Sequence, residues 1–124
     1  METIKTDKAP AAIGPYVQAV KTGNLLFCSG QIPLKADGSL VTGEVKDEAK
    51  QVMENLKEVL AAAGTSFEKA VKCTIYLVNI ADFAAVNEVY GSYFTGEHKP
   101  ARVTVAVAAL PKGAKVEIDC VAEV

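Results

Sequence analysis

Two side chains break the pattern of this chain in ways that chemistry can use. Arg102 is the sole arginine among 13 cations, the remainder being lysine. It opens a nearly apolar run, Val103-Thr104-Val105-Ala106-Val107-Ala108-Ala109. Lysine serves elsewhere as the solvated cation, so an arginine here points to a use for its planar fork. That fork takes a carboxylate in two parallel, charge-assisted hydrogen bonds. The carboxylate can belong to a bound molecule or to an Asp or Glu of the same chain, and spacing alone leaves both open. The second residue is Glu117 in Val116-Glu117-Ile118-Asp119-Cys120. A period of two sets Val116, Ile118 and Cys120 on one strand face, with Glu117, Asp119 and Val121 on the other. Glu117 is then a solvent-facing strand residue, or a carboxylate that holds a water as general base if the Arg102 strand lies beside it. A hairpin pairing residues 102–109 with 115–123 predicts that proximity.

Other chemistries find little support. There is no G-x-G-x-x-G or P-loop to cradle phosphate. His98 is the only histidine and lies in a polar loop, Gly96-Glu97-His98-Lys99, which disfavours a Ser-His-Asp arrangement. Cys28, Cys73 and Cys120 are odd in number, widely spaced and without C-x-x-C, so neither a zinc site nor a disulfide framework is expected. All three read as reduced thiols within hydrophobic strands.

Composition narrows the classes further. The chain has 124 residues, 50% hydrophobic and 23% charged, with a net charge of −2. This fits one folded domain spanning residues 1–124, not a disordered segment. Binding to nucleic acid is not expected, since the basic excess that neutralises phosphate is missing and aromatics make up only 6%. No apolar run approaches the ~20 residues of a bilayer span, and the N-terminus lacks signal-peptide character. A cytoplasmic protein without membrane partners is the expectation.

The elements that must position these residues can be read from periodicity. Val17–Lys21 and Leu25–Ser29 flank Thr22-Gly23-Asn24, a hairpin signal. A short N-terminal strand is expected around Thr3–Asp7, and Lys35–Ser39 reads as a turn. From Glu44 to Ala63, Val45, Ala49, Val52, Met53, Leu56, Leu60 and Ala63 form one apolar stripe at helical spacing. Gly64 follows as the C′ residue. Thr65–Glu68 reads as a brief capped turn. Ala70–Val78 returns to strand, with Val71, Cys73, Ile75 and Leu77 on one face. Asp82 caps a second helix in which Phe83, Val86, Tyr90 and Tyr93 or Phe94 share a face, ended by Gly96–Pro100. Strands Arg102–Ala109 and Lys115–Glu123 close the chain across the turn Leu110-Pro111-Lys112-Gly113.

This order predicts an α+β fold: a mixed sheet of about six strands with two helices on one face. Six strands at about 4.8 Å make a sheet about 29 Å wide. Two helices of about 10 Å diameter cover one face and leave the other bare. Yet Leu25 and Phe27 alternate with Leu26 and Cys28, and Val103, Val105 and Val107 with Ala106 and Ala108. A bare face of that kind should not remain in water, which predicts a homo-oligomer packed through it.

The segments Pro100-Ala101-Arg102-Val103-Thr104-Val105, Ala108-Ala109-Leu110-Pro111-Lys112-Gly113 and Val116-Glu117-Ile118 together resemble the signature of the RidA/YjgF family. Ile13-Gly14-Pro15-Tyr16, Ser29-Gly30-Gln31-Ile32-Pro33, and Asn87 with Tyr90 extend the resemblance from about Ala9 to Val121. These are reactive-intermediate (enamine/imine) deaminases, formerly described as translation-inhibiting endoribonucleases. The resemblance implies a chorismate-mutase-like domain forming a homotrimer, with sites in clefts between subunits. It implies hydrolysis of 2-imino acids such as 2-iminopropanoate and 2-iminobutanoate to 2-keto acids and ammonia, with no metal or organic cofactor.

By the same resemblance, Arg102 matches the carboxylate clamp and Glu117 the glutamate that activates water. Tyr16 stands at the cleft, Ser29 and Gly30 line it, the backbone at Thr104 bonds the ligand, and Asn87 is a further binding position. Many members carry Cys where this chain has Thr104, which excludes a cysteine nucleophile there. Val103 replaces a smaller Ser or Ala. Two other readings remain: a trimer that binds 2-keto acids or another metabolite without catalysis, and an endoribonuclease. RNA cleavage needs cationic phosphate stabilisers, and one Arg, one His and a net charge of −2 supply few.

Overall fold

The stripe of Val52, Met53, Leu56, Val59 and Leu60 is fully buried and builds helix α1, Val45–Ala62. Gly64, at φ +80°, ends it in the left-handed conformation, its N–H bonded to the Ala61 carbonyl. The computed structural model describes residues 1–124. It places α1 and a second helix, α2 (Phe83–Gly91), with six strands: β1 (Glu2–Ile4), β2 (Ala19–Thr22), β3 (Leu25–Gln31), β4 (Ala70–Leu77), β5 (Ala101–Ala106) and β6 (Val116–Glu123). The α+β reading therefore holds.

All six strands form one mixed sheet in the order β1-β2-β3-β6-β4-β5. Every pairing is antiparallel except β4 with β5, which α2 joins as a parallel crossover. The β2–β3 hairpin turns through Gly23-Asn24, with Gly23 at φ +58°.

The expected hairpin between the last two strands does not form. β4 lies between β5 and β6, pairing parallel with one and antiparallel with the other. Residues 107–115 pass over the end of β4, with a short 3-10 turn at Pro111–Gly113. Leu110-Pro111-Lys112-Gly113 has local hairpin chemistry, but β6 gains two partners by inserting between β3 and β4. Smaller corrections follow the same pattern. β5 ends at Ala106, and α2 ends at Gly91, well before Gly96. Asp82 and Ser66 make no capping bond with their side chains; Asn79 instead accepts from the Ala81 N–H. Val71 leaves the buried face because the register with β6 shifts between Ala70 and Lys72.

Alternation in β6 is as expected: Val116, Ile118, Cys120 and Ala122 are buried while the intervening residues are not. Both helices cover that face, and one hydrophobic core fills the space between. Cys28, Cys120 and Cys73 stand side by side across β3, β6 and β4, buried and unbridged, as the sequence suggested. The opposite face has no covering element and leaves Phe27, Val103 and Val105 between 38% and 46% exposed. No helix is long and apolar enough to cross a membrane.

Candidate functional site

Glu117 projects from β6 onto the open face of the sheet, and the neighbouring strand is shaped around its carboxyl. β3 pairs with β6 regularly up to Cys28–Cys120 and resumes at Gln31–Ile118, so Ser29 and Gly30 both stand opposite Asp119. One strand thus carries an extra residue, a bulge of the kind that re-aims nearby side chains. A Cβ on Gly30 would meet Glu117 Oε2 at 2.1 Å. Only a glycine lets the carboxyl rest there.

The same bulge fastens a loop. Ser29 Oγ donates to the Val17 carbonyl, and the Ser29 N–H donates to the Gln18 carbonyl at 2.9 Å. Buried Gln18 donates to the Pro10 carbonyl at 2.8 Å and accepts from the Thr6 N–H at 2.7 Å. Residues 10–18 are thereby strapped beside Gly30, with half-exposed Tyr16 at the opening. On the far side, Asn55 of α1 donates to the Leu34 carbonyl at 2.7 Å and holds the following segment. A cavity of about 520 Å³ results, lined among others by Tyr16, Ser29, Gly30, Ile32, Lys112 and Glu117. Burial pushes the Glu117 carboxyl above the usual carboxylate range, and nearby Asp119 adds to the shift. A carboxyl of raised proton affinity is the better general base.

Arg102 lies elsewhere. It is level with Cys73 on the helix side of β5, the edge strand. Its guanidinium sits 5.3 Å from the Phe83 ring centroid and 5.1 Å from that of Tyr90. Nη1 donates to Asn87 Oδ1 at 2.6 Å. No acidic side chain pairs with it, which removes the internal salt bridge as its explanation. The rest of the fork is free to take a carboxylate in a second cavity of about 390 Å³, lined by Asn87, Tyr90, Lys99 and Arg102. Thr104 follows on the same side of β5, its Oγ1 buried without a hydrogen-bond partner.

The seven expected site residues therefore fall into two groups. Tyr16, Ser29, Gly30 and Glu117 share one cavity; Arg102, Asn87 and Thr104 cluster at the β5 edge. Within one chain the groups do not meet. Glu117 is level with Tyr76 and Arg102 with Cys73, two strands apart. Strand geometry puts their Cα atoms about 14 Å apart, with side chains on opposite faces. Sequence reasoning did not single out Lys112, whose φ of +58° at the cavity rim has no local signature. Phe83 was visible only as a member of an apolar helix face, and Tyr90 as a member of that face and of the family resemblance. No group of three or more His, Cys, Asp or Glu side chains is arranged to hold a metal ion.

The endoribonuclease L-PSP family model matches residues 6–124. The chain belongs to that family, the RidA/YjgF or Rid proteins. Among its relatives, protein DfrA of Myxococcus xanthus is 57% identical over 98% of this chain and 94% of its own length. The 2-iminobutanoate/2-iminopropanoate deaminase of Mus musculus is 50% identical over 98% of this chain and 90% of its own. Among solved structures, YyfA of Yersinia pestis, described as a Rid-family protein of unknown function, superposes with a TM-score of 0.97. It is 48% identical, with 99% of this chain and 98% of that one covered. The Rid fold thus accounts for the whole sheet, including the insertion of β6.

Proposed function

We propose that this Rid protein is a hydrolytic deaminase of small 2-imino acids, acting as a homotrimer whose sites each join the Arg102 group of one chain to the Glu117 group of its neighbour. The observation that carries this reading is the Glu117 carboxyl, half-buried over Gly30 in a cavity with its proton affinity raised. The deaminase named among the relatives supplies the reaction class. The bare sheet face and the separation of the two groups within one chain favour assembly through that face.

The chemistry requires only water and proton movement. Arg102 takes the substrate carboxylate through its free N–H groups and fixes the imine carbon in place. Glu117 removes a proton from water as the oxygen adds to that carbon, giving a carbinolamine. It returns that proton to nitrogen and then accepts the hydroxyl proton as the C–N bond breaks and the carbonyl forms, releasing ammonia and a 2-keto acid. General base assistance of this kind contributes about 10²–10⁴ in rate.

The test is an assay in which an amino-acid oxidase or dehydratase generates the imine in situ, with pyruvate titration in parallel. Glu117→Gln should bind pyruvate normally but lose about 10²-fold or more in imine turnover. Arg102→Lys should weaken pyruvate binding and raise KM. Wild-type protein that binds pyruvate without accelerating imine loss would leave a metabolite-binding trimer as the function.

A further inference from the structure

Phe83, Asn87 and Tyr90 occupy positions i, i+4 and i+7 of one helix, which places them on a single face of α2. All three address the same group. The two rings flank the Arg102 guanidinium at 5.3 and 5.1 Å, and the amide accepts its Nη1 proton at 2.6 Å. Arg102 stands on an exposed edge strand, where a long side chain has much rotamer freedom to lose. An arginine there samples many directions unless something holds it. Phe83 is half-buried and Tyr90 buried, so both rings are themselves fixed by the core. The Tyr90 side chain also lies beside Cys73, the β4 residue level with Arg102.

We propose that Phe83 and Tyr90 are positioning residues for the reaction: with Asn87 they form a cradle that aims the free edge of the Arg102 fork at the substrate carboxylate. The inference rests on the reading of Arg102 as the carboxylate clamp, and it assigns a role to helix α2. The cradle uses two ring contacts at the guanidinium carbon and one N–H group. The in-plane donors that bind a carboxylate in parallel remain available. Lysine has neither a flat face for two rings nor a fork to aim, which accounts for the one departure from lysine in this chain.

Because Arg102 is the only arginine, protein labelled with ¹⁵N-arginine gives a single Nε–H resonance per chain environment. In wild type at pH 6 it should be displaced from the free-arginine position by the two rings, and pyruvate should move it again. Phe83→Leu removes one ring at a half-buried position and should return the signal toward the free position. The same variant should raise the pyruvate Kd and the imine KM about 2- to 30-fold, the range of a cation–π contact, with kcat changed less than KM. Tyr90→Leu should do likewise, whereas Tyr90→Phe and Phe83→Tyr keep a ring and should stay near wild type. A wild-type resonance at the free-arginine position overturns the cradle, even if a leucine variant fails to fold. So does a folded Phe83→Leu protein with unchanged KM and Kd. If wild type binds pyruvate but hydrolyses no imine, the deaminase reading fails while the resonance and the Kd still decide the cradle.

Discussion

At the residue scale the decisive contact is between a carboxyl and a missing side chain. Gly30→Ala places a Cβ 2.1 Å from Glu117 Oε2, the far end of a flexible chain. The fold can absorb this by swinging the carboxyl aside, so stability should fall by less than about 1 kcal/mol while imine turnover drops about tenfold or more. Denaturant melts and kcat/KM on one sample separate the two effects; equal losses in both would mean that Gly30 serves the fold alone. Protonation of Glu117 gives a second prediction. Burial and Asp119 favour its neutral form, so its folded-state pKa lies above the ordinary value of 4.5. The acidic limb of the kcat/KM profile should therefore fall above that value and disappear in Glu117→Gln. The sign for stability runs the other way. Stability from the neutral carboxyl is fully present below the unfolded pKa and lost as pH rises through the folded one. Glu117→Gln should thus be at least as stable as wild type at pH 7, with the advantage shrinking below about pH 4.5. A buried carboxyl that costs the fold something is the pattern expected of a functional site.

At the element scale, α1 does more than roof the sheet. Asn55 is 1% exposed, donates to the Ile32 and Leu34 carbonyls and accepts from Gln51 Nε2 at 2.8 Å. Asn55→Leu leaves those carbonyls unmet and should cost about 1–3 kcal/mol by urea unfolding at fixed protein concentration. It should also raise KM, since the tethered segment carries Ile32 and Leu34 of the cavity wall. A variant of unchanged stability would remove the tether from the account. The elements also mark how far the sequence could be read. α1, the β2–β3 hairpin and the two faces of β6 were legible because each is a local pattern of period 3.6 or 2. The insertion of β6 between β3 and β4 was not, since pairing between distant segments leaves no mark on either. The bulge at Ser29-Gly30 was not legible: the predicted strand ended at Ser29, and Gly30 entered only through the family resemblance. The cradle lay open in the spacing of Phe83, Asn87 and Tyr90, yet a core-facing stripe has that same spacing. Arg102 and Glu117 stood out by residue type and setting, but the hairpin meant to join them does not form.

At the scale of the whole molecule, that error carries the most meaning. One chain holds Arg102 and Glu117 on opposite faces of its sheet, two strands apart, and leaves Phe27, Val103 and Val105 uncovered. The proposed trimer addresses both facts, because a second copy placed on the bare face can bring its own edge strand to the Glu117 cavity. Sedimentation equilibrium should then give three times the 13.0 kDa chain mass. The most direct measurement mixes two impaired proteins at a substrate concentration where each alone turns over little imine. Arg102→Lys and Glu117→Gln chains are unfolded together in equal amounts, refolded, and assayed for imine hydrolysis beside each parent treated alone. If each site takes its arginine from one chain and its glutamate from the next, about a quarter of the sites in random trimers are intact, and activity should return to about that fraction of wild type. A refolded trimeric mixture as inactive as its parents would contradict the shared site.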